Sequence, residues 1–119
     1  MGLLKFIMGG SGVPEITPAQ LAEKLRSTRP PRLLDVRGPN EHAIAKLDGA
    51  TLIPLGELTQ RAGEIEAWKS DEVVVYCHGG VRSLRGAGIL KQLGFANVAS
   101  LAGGIDRWSV EVDPKVPRY

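Results

Sequence analysis

The sequence predicts an α/β domain whose parallel sheet is covered by helices on both faces. Three observations lead there. Several short apolar runs are continuous rather than alternating, as strands buried on both faces require. Segments with helical spacing separate them, and Gly, Pro and capping signals mark the junctions. The chain has 119 residues, 43% of them hydrophobic and 24% charged, which suits one globular domain with a core of its own.

The opening "MGLLKFIMGGSG" places Leu3, Leu4, Phe6, Ile7 and Met8 around Lys5. This run is too short to span a bilayer and lacks the basic region and small-residue cleavage site of an export signal. Phe6 occupies the position where a myristoylation signal needs Ser or Thr. Residues 1–13 are therefore expected to be an apolar leader with a Gly-rich linker, and residues 14–119 the domain. In "EITPAQLAEKLRS", Thr17 is an N-cap, Pro18 the first helical residue and Gln20 the far half of a capping box, with Leu21 and Leu25 on one face. "RLLDV" (32–36), bounded by Pro30, Pro31 and Gly38, is a buried strand. "TLIPL" (51–55) is a weaker one that ends around Pro54. From Glu57 to Trp68, Leu58, Ala62, Ile65 and Trp68 recur at helical spacing. "EVVVY" (72–76) is the clearest strand. A helix is expected over 82–93, closed by Gly94, and then a buried strand "NVASL" (97–101).

In open parallel sheets, ligands bind beyond the carboxyl ends of the strands, where Asp35, Cys77 and Gly103 fall. Cys77 is the sole cysteine, so an internal disulfide, a C-x-x-C pair and a multi-thiolate zinc site are excluded. With only two histidines, His42 and His78, no metal site is expected, and a reducing, cytoplasmic setting fits. A net charge of +2 without runs of like charge gives no support for nucleic-acid binding.

After Cys77 comes "HGGVR" and then a helix. Glycines let such a loop curl so that its N–H groups point inward at an anion, and the helix N-terminus adds to the field. A lone Cys after an apolar run is often an inert core thiol. The Gly79-Gly80 pair and Arg82, with Arg85 close by, favour a thiolate nucleophile instead. Asp35 and Arg37 are expected to form an ion-pair and hydrogen-bond network that fixes loops, with Glu41 a further candidate member. A thiolate held in a nest needs no base, so His78 is expected at the rim, and His42 is expected to cap or decorate a helix surface.

Three motifs in order, "LLDVRGPNEHAIAKLDGATLIPL", "VVVYCHGGVRS" and "LAGGIDRW", resemble the rhodanese family of sulfurtransferases over about residues 14–110. The resemblance implies a five-stranded parallel sheet flanked by helices. It also implies a double displacement without a cofactor. Cys77 takes the sulfane sulfur of a donor such as thiosulfate to form a persulfide, and a thiophilic acceptor (cyanide, a thiol or a sulfur-carrier protein) removes it. Backbone N–H groups of His78, Gly79, Gly80, Val81 and Arg82 would cradle the persulfide, and the Arg82 side chain would seat an anionic donor.

Related phosphatases and arsenate reductases place five residues between Cys and Arg, whereas only His78 to Val81 intervene here, a ring better matched to sulfur than to phosphate. No second cysteine is present to resolve an arsenate intermediate. "CHGGVR" also departs from the Thr-ended loop of the mercaptopyruvate branch, which favours thiosulfate or a protein persulfide as donor. A Cys-dependent phosphatase and a non-catalytic binding or sulfide-sensing module are the alternatives. Ala45-Lys46-Leu47 stands where the family commonly has Gly-His-Ile. The tail "SVEVDPKVPRY" resembles the ends of rhodanese domains fused to adenylyltransferases that sulfurate carrier proteins. Gly103-Gly104 is expected to allow a tight turn against the site, with Trp108 packing the last helix on the core. Gly86 and Gly88 imply a helix seated closely on the sheet.

Overall fold

The computed structural model describes residues 12–119, so residues 1–11 of the leader and linker expected over 1–13 lie outside them. The elements are β1 (Glu15–Ile16), α1 (Pro18–Leu25), β2 (Arg32–Asp35), α2 (Pro39–Ile44), β3 (Thr51–Leu52), α3 (Leu58–Arg61), β4 (Glu72–Tyr76), α4 (Val81–Gln92), β5 (Asn97–Leu101) and α5 (Gly104–Glu111). The five strands form one sheet in the order β1-β5-β4-β2-β3, with every pair parallel. This is the expected fold class.

Strand periodicity divides the core in two. Val73, Val75 and Cys77 point to one face and pack with Ile65, Ala87 and Leu90. Val74 and Tyr76 point to the other and pack with Leu21, Ile105 and Trp108. Val13, just ahead of the expected domain start, is buried on the first face.

The capping box of α1 forms as expected: Gln20 N donates to Thr17 Oγ1 at 3.2 Å, and Thr17 N donates to Gln20 Oε1 at 2.9 Å. The helix expected over 57–68 is instead a 3-10 turn (Leu55–Glu57), the single α turn α3, and a second 3-10 stretch (Ala62–Trp68) that breaks at Ile65. Gly56 and Gly63 weaken the α conformation here. The tighter winding still buries Leu58, Ala62 and Ile65, so the apolar spacing is satisfied by a different backbone.

Regular pairing in β3 covers two residues, yet Ile53 N and Leu55 N still donate to the Asp35 and Val36 carbonyls at 2.9 and 3.0 Å. Pro54 has no N–H and interrupts the ladder without ending the contact. Two elements, β1 and α2, lie outside the sequence expectation, because two and six residues carry too little periodicity to register.

Candidate active site

Cys77 follows β4, the middle strand of the sheet, and is 1% exposed. Gly80 N donates to its Sγ at 3.1 Å and Ser83 N at 3.4 Å, while Ser83 Oγ lies 3.5 Å away. Ser83 Oγ in turn sits 2.7 Å from Ser100 Oγ at the end of β5. A thiolate or persulfide sulfur at this position meets inward-facing donors from the first turn of α4, the arrangement that favours an anion.

Two glycines make this curl fit. Gly80 adopts φ +104°, and a Cβ there would lie 3.1 Å from Gly103 N. Gly104, at φ +63°, lets α5 begin directly beneath the loop, where a Cβ would collide with the His78 carbonyl oxygen. From there Ile105 N donates to the Cys77 carbonyl at 2.9 Å and Asp106 N to the His78 carbonyl at 3.1 Å. With those carbonyls held by α5, the loop presents its N–H side to sulfur.

Of the expected cradle residues, Gly80 therefore donates directly. His78, Gly79, Val81 and Arg82 line the loop without a backbone bond to Sγ, and the Val81 side chain is exposed. Ser83 and Ser100 were not singled out by sequence. Ser83 follows Arg82 directly, and a hydroxyl on the buried side of a helix's first turn is the signal that could have found it.

A second layer is built from side chains. Asp35 and Arg37 are fully buried and paired: Arg37 Nε donates to Asp35 Oδ1 at 2.9 Å and Arg37 Nη2 to Asp35 Oδ2 at 2.7 Å. The expected network thus exists, and it extends further than expected. Arg37 lies between the rings of Tyr76 and Tyr119, 5.4 and 5.6 Å from their centroids. Arg37 Nη2 also donates to the Ala45 carbonyl, and Leu47 N donates to the Tyr76 hydroxyl at 3.1 Å. These two bonds tie down the loop in which the family's usual histidine is absent.

His42 does not decorate a helix surface. Its Nδ1 lies 2.8 Å from Asp35 Oδ2, because α2 turns that face toward the end of β2.

Arg82 also departs from expectation. Its Nη1 and Nη2 donate to Glu41 Oε1 and Oε2 at 2.7 and 3.0 Å, so its guanidinium is bound to a carboxylate. The Tyr119 hydroxyl donates to Glu41 Oε2 at 2.9 Å and accepts from Arg37 Nη1 at 2.7 Å. Tyr119 also packs edge-on against the half-buried His78 with ring centroids 4.4 Å apart, and His78 Nδ1 has no hydrogen-bond partner among the described residues.

Burial pushes the Asp35 carboxyl up, but the hydrogen bonds from Arg37 and His42 outweigh it and hold it below the usual range. The Arg82 hydrogen bonds bring Glu41 down to about 2. Among the described residues, no cluster of His, Cys, Asp and Glu could hold a metal ion, and no helix is long and apolar enough to cross a membrane.

The family model for the Rhodanese-like domain matches residues 17–111. Over 104 residues the chain is 36% identical to a probable adenylyltransferase/sulfurtransferase, MoeZ, of Mycobacterium tuberculosis, covering 87% of this chain but only 26% of that protein. A sulfurtransferase of Allochromatium vinosum is 35% identical over 97 residues, which cover 82% of this chain and 89% of the relative. Among solved structures, a human single-domain sulfurtransferase superposes with a TM-score of 0.73 at 28% identity, over 84% of this chain and 98% of that one.

Proposed function

This chain belongs to the rhodanese family, and from that premise we propose that it moves sulfane sulfur from thiosulfate or a related donor to a thiophilic acceptor through a Cys77 persulfide. The observation that carries the reading is the convergence of two backbone donors, Gly80 N and Ser83 N, on Cys77 Sγ, with the Ser83 hydroxyl 3.5 Å from the sulfur. An inert core thiol has no need of such donors, whereas a sulfur anion is stabilised by them.

The Cys77 thiolate attacks the outer sulfur of thiosulfate. The new S–S bond forms as the donor's S–S bond breaks, and sulfite leaves with the electron pair. The negative charge then rests on the terminal persulfide sulfur, within reach of the loop's N–H groups. In the second half, the acceptor's lone pair attacks that sulfur and the S–S bond breaks, returning the thiolate to Cys77. Cyanide, a low-molecular-weight thiol or the thiol form of a carrier protein would each serve. A protein acceptor is supported by the name of another relative, a putative sulfur carrier protein of Bacillus subtilis, 35% identical over 99 residues that make up 52% of its length.

Intact-mass spectrometry provides the test. Thiosulfate is expected to add one sulfur atom to the protein, cyanide to remove it, and Cys77→Ser to abolish both. An unchanged mass with every sulfane donor tried would overturn the reading.

A further inference from the structure

We propose that Glu41, held in place by Tyr119, is a specificity-determining residue that discriminates against highly charged anionic donors by occupying Arg82. The proposal rests on the reading of Cys77 as the atom that accepts sulfur.

Arg82 is the second residue of α4, whose first turn faces the sulfur, and it is the cation that the sequence assigns to an incoming anion. Both of its terminal nitrogens are already engaged by Glu41. The Glu41 carboxylate is itself fixed by four donors. Besides the two from Arg82, they are Gly38 N at 3.1 Å to Oε1 and the Tyr119 hydroxyl at 2.9 Å to Oε2. Tyr119 in turn is anchored by Arg37 Nη1 and by the His78 ring next to Cys77.

An oxyanion that would use Arg82 must displace this carboxylate, or else approach with Glu41 as an added repulsion. A dianion feels that repulsion twice as strongly as a monoanion, and a neutral group hardly at all. The arrangement therefore ranks donors by charge before any sulfur moves. Tyr119 acts as a positioning residue, because its hydroxyl, held by Arg37, donates to the Glu41 carboxylate that binds Arg82.

The chain's single cysteine allows this to be measured without a sulfur donor, since alkylation reads Cys77 alone. Iodoacetate and iodoacetamide have nearly the same shape but differ by one negative charge. Glu41→Gln is expected to raise the ratio of their rate constants at Cys77 by about tenfold, the low end of electrostatic effects on association. Tyr119→Phe is expected to raise it about twofold, and added salt to shrink both increases.

A merely structural role would alter both reagents alike, and an unchanged or lowered ratio in Glu41→Gln overturns the proposal. Should that variant fail to fold, the ratio in Tyr119→Phe decides in the same way. In a parallel measurement, loading by thiosulfate, a dianion, is compared with loading by an arenethiosulfonate, a monoanion with the same sulfane sulfur. Glu41→Gln is expected to favour thiosulfate several-fold. A shifted alkylation ratio with no loading by either donor would overturn the sulfur-transfer reading and leave the charge filter standing. Normal loading with an unshifted ratio would do the reverse.

Discussion

Around Cys77 the donors are backbone groups of one short stretch, Gly80 N and Ser83 N, whereas the network on Glu41 and Arg37 adds to its local bonds two side chains from distant parts of the chain, Arg82 and Tyr119. Arg37 and Tyr119 are 82 positions apart, and Glu41 and Arg82 are 41 apart. The sulfur side thus depends on backbone shape, set by glycines and by the end of β4. The charged side depends on pairing between side chains, and it closes only after β2, α2, α4 and the segment after α5 have assembled. A single substitution should therefore act differently on the two sides, through sterics on one and through an uncompensated charge on the other.

The largest effect belongs to the charged side. Arg37→Met leaves the Asp35 carboxylate buried with His42 as its remaining side-chain partner, and breaking a buried pair in this way costs about 3–5 kcal/mol. Its pH dependence identifies the cause. In the native protein the Asp35 carboxyl lies below its ordinary value, so the stability it contributes is present above the usual carboxylate range and is lost as pH falls through the lowered value. Without Arg37 the cost of burying the charge dominates, and the carboxyl takes up its proton at higher pH. The deficit of the variant, measured by urea unfolding, should therefore be greatest near neutrality and narrow as the pH is lowered toward 4. A deficit independent of pH would mean that lost packing against Tyr76 and Tyr119, rather than charge, accounts for the effect.

This difference in construction also explains what could be read from the sequence. The strands Glu72–Tyr76 and Asn97–Leu101 and the capping box at Thr17 were legible because each is specified by adjacent residues. Cys77 and its glycine loop were legible for the same reason. Asp35 and Arg37 were readable as a pair because they are two positions apart. The tie between Arg82 and Glu41, the bond from His42 to Asp35, and the place of Tyr119 were not, since nothing local distinguishes a surface Glu, His or Tyr from one that meets a partner across the fold. Ser83 was missed on a finer point: helical phase, not residue type, turns its hydroxyl toward the sulfur.

The next effect tests the backbone-built side. Gly104→Ala would drive a Cβ into the His78 carbonyl and hold a non-glycine residue at φ +63°. Left-handed strain and overpacking together should cost about 2–4 kcal/mol, with no marked pH dependence between 5 and 8, because no charge is uncovered. Sulfur loading should fall as well, since the carbonyls of Cys77 and His78 would lose the α5 donors that orient the loop. A loss of stability with loading intact would show that the curl persists without α5 beneath it.

The smallest effect lies within α4, the helix that brings Ser83 to the sulfur, and it separates two glycines that look alike in the sequence. A Cβ at Gly86 would lie 3.2 Å from Val75 Cγ1 and 3.3 Å from Val36 Cγ1, so Gly86→Ala requires these two buried valines, or the helix itself, to give by a few tenths of an ångström. It is expected to cost about 1–3 kcal/mol and to slow loading, because Ser83 lies three residues back on the same helix. At Gly88 the first neighbour a Cβ would meet is Val13 Cγ2 at 3.9 Å, an ordinary van der Waals distance. The sequence expectation that both glycines serve close packing thus holds for Gly86 and is corrected for Gly88. Gly88→Ala removes the entropic cost of a helical glycine and should stabilise the fold by about 0.5–1 kcal/mol in urea unfolding while loading proceeds at its normal rate. Were both substitutions equally harmful, the seat of α4 on Val36 and Val75 would not be what sets the distance from Ser83 to the sulfur. The backbone-built side would then owe its geometry to the loop alone.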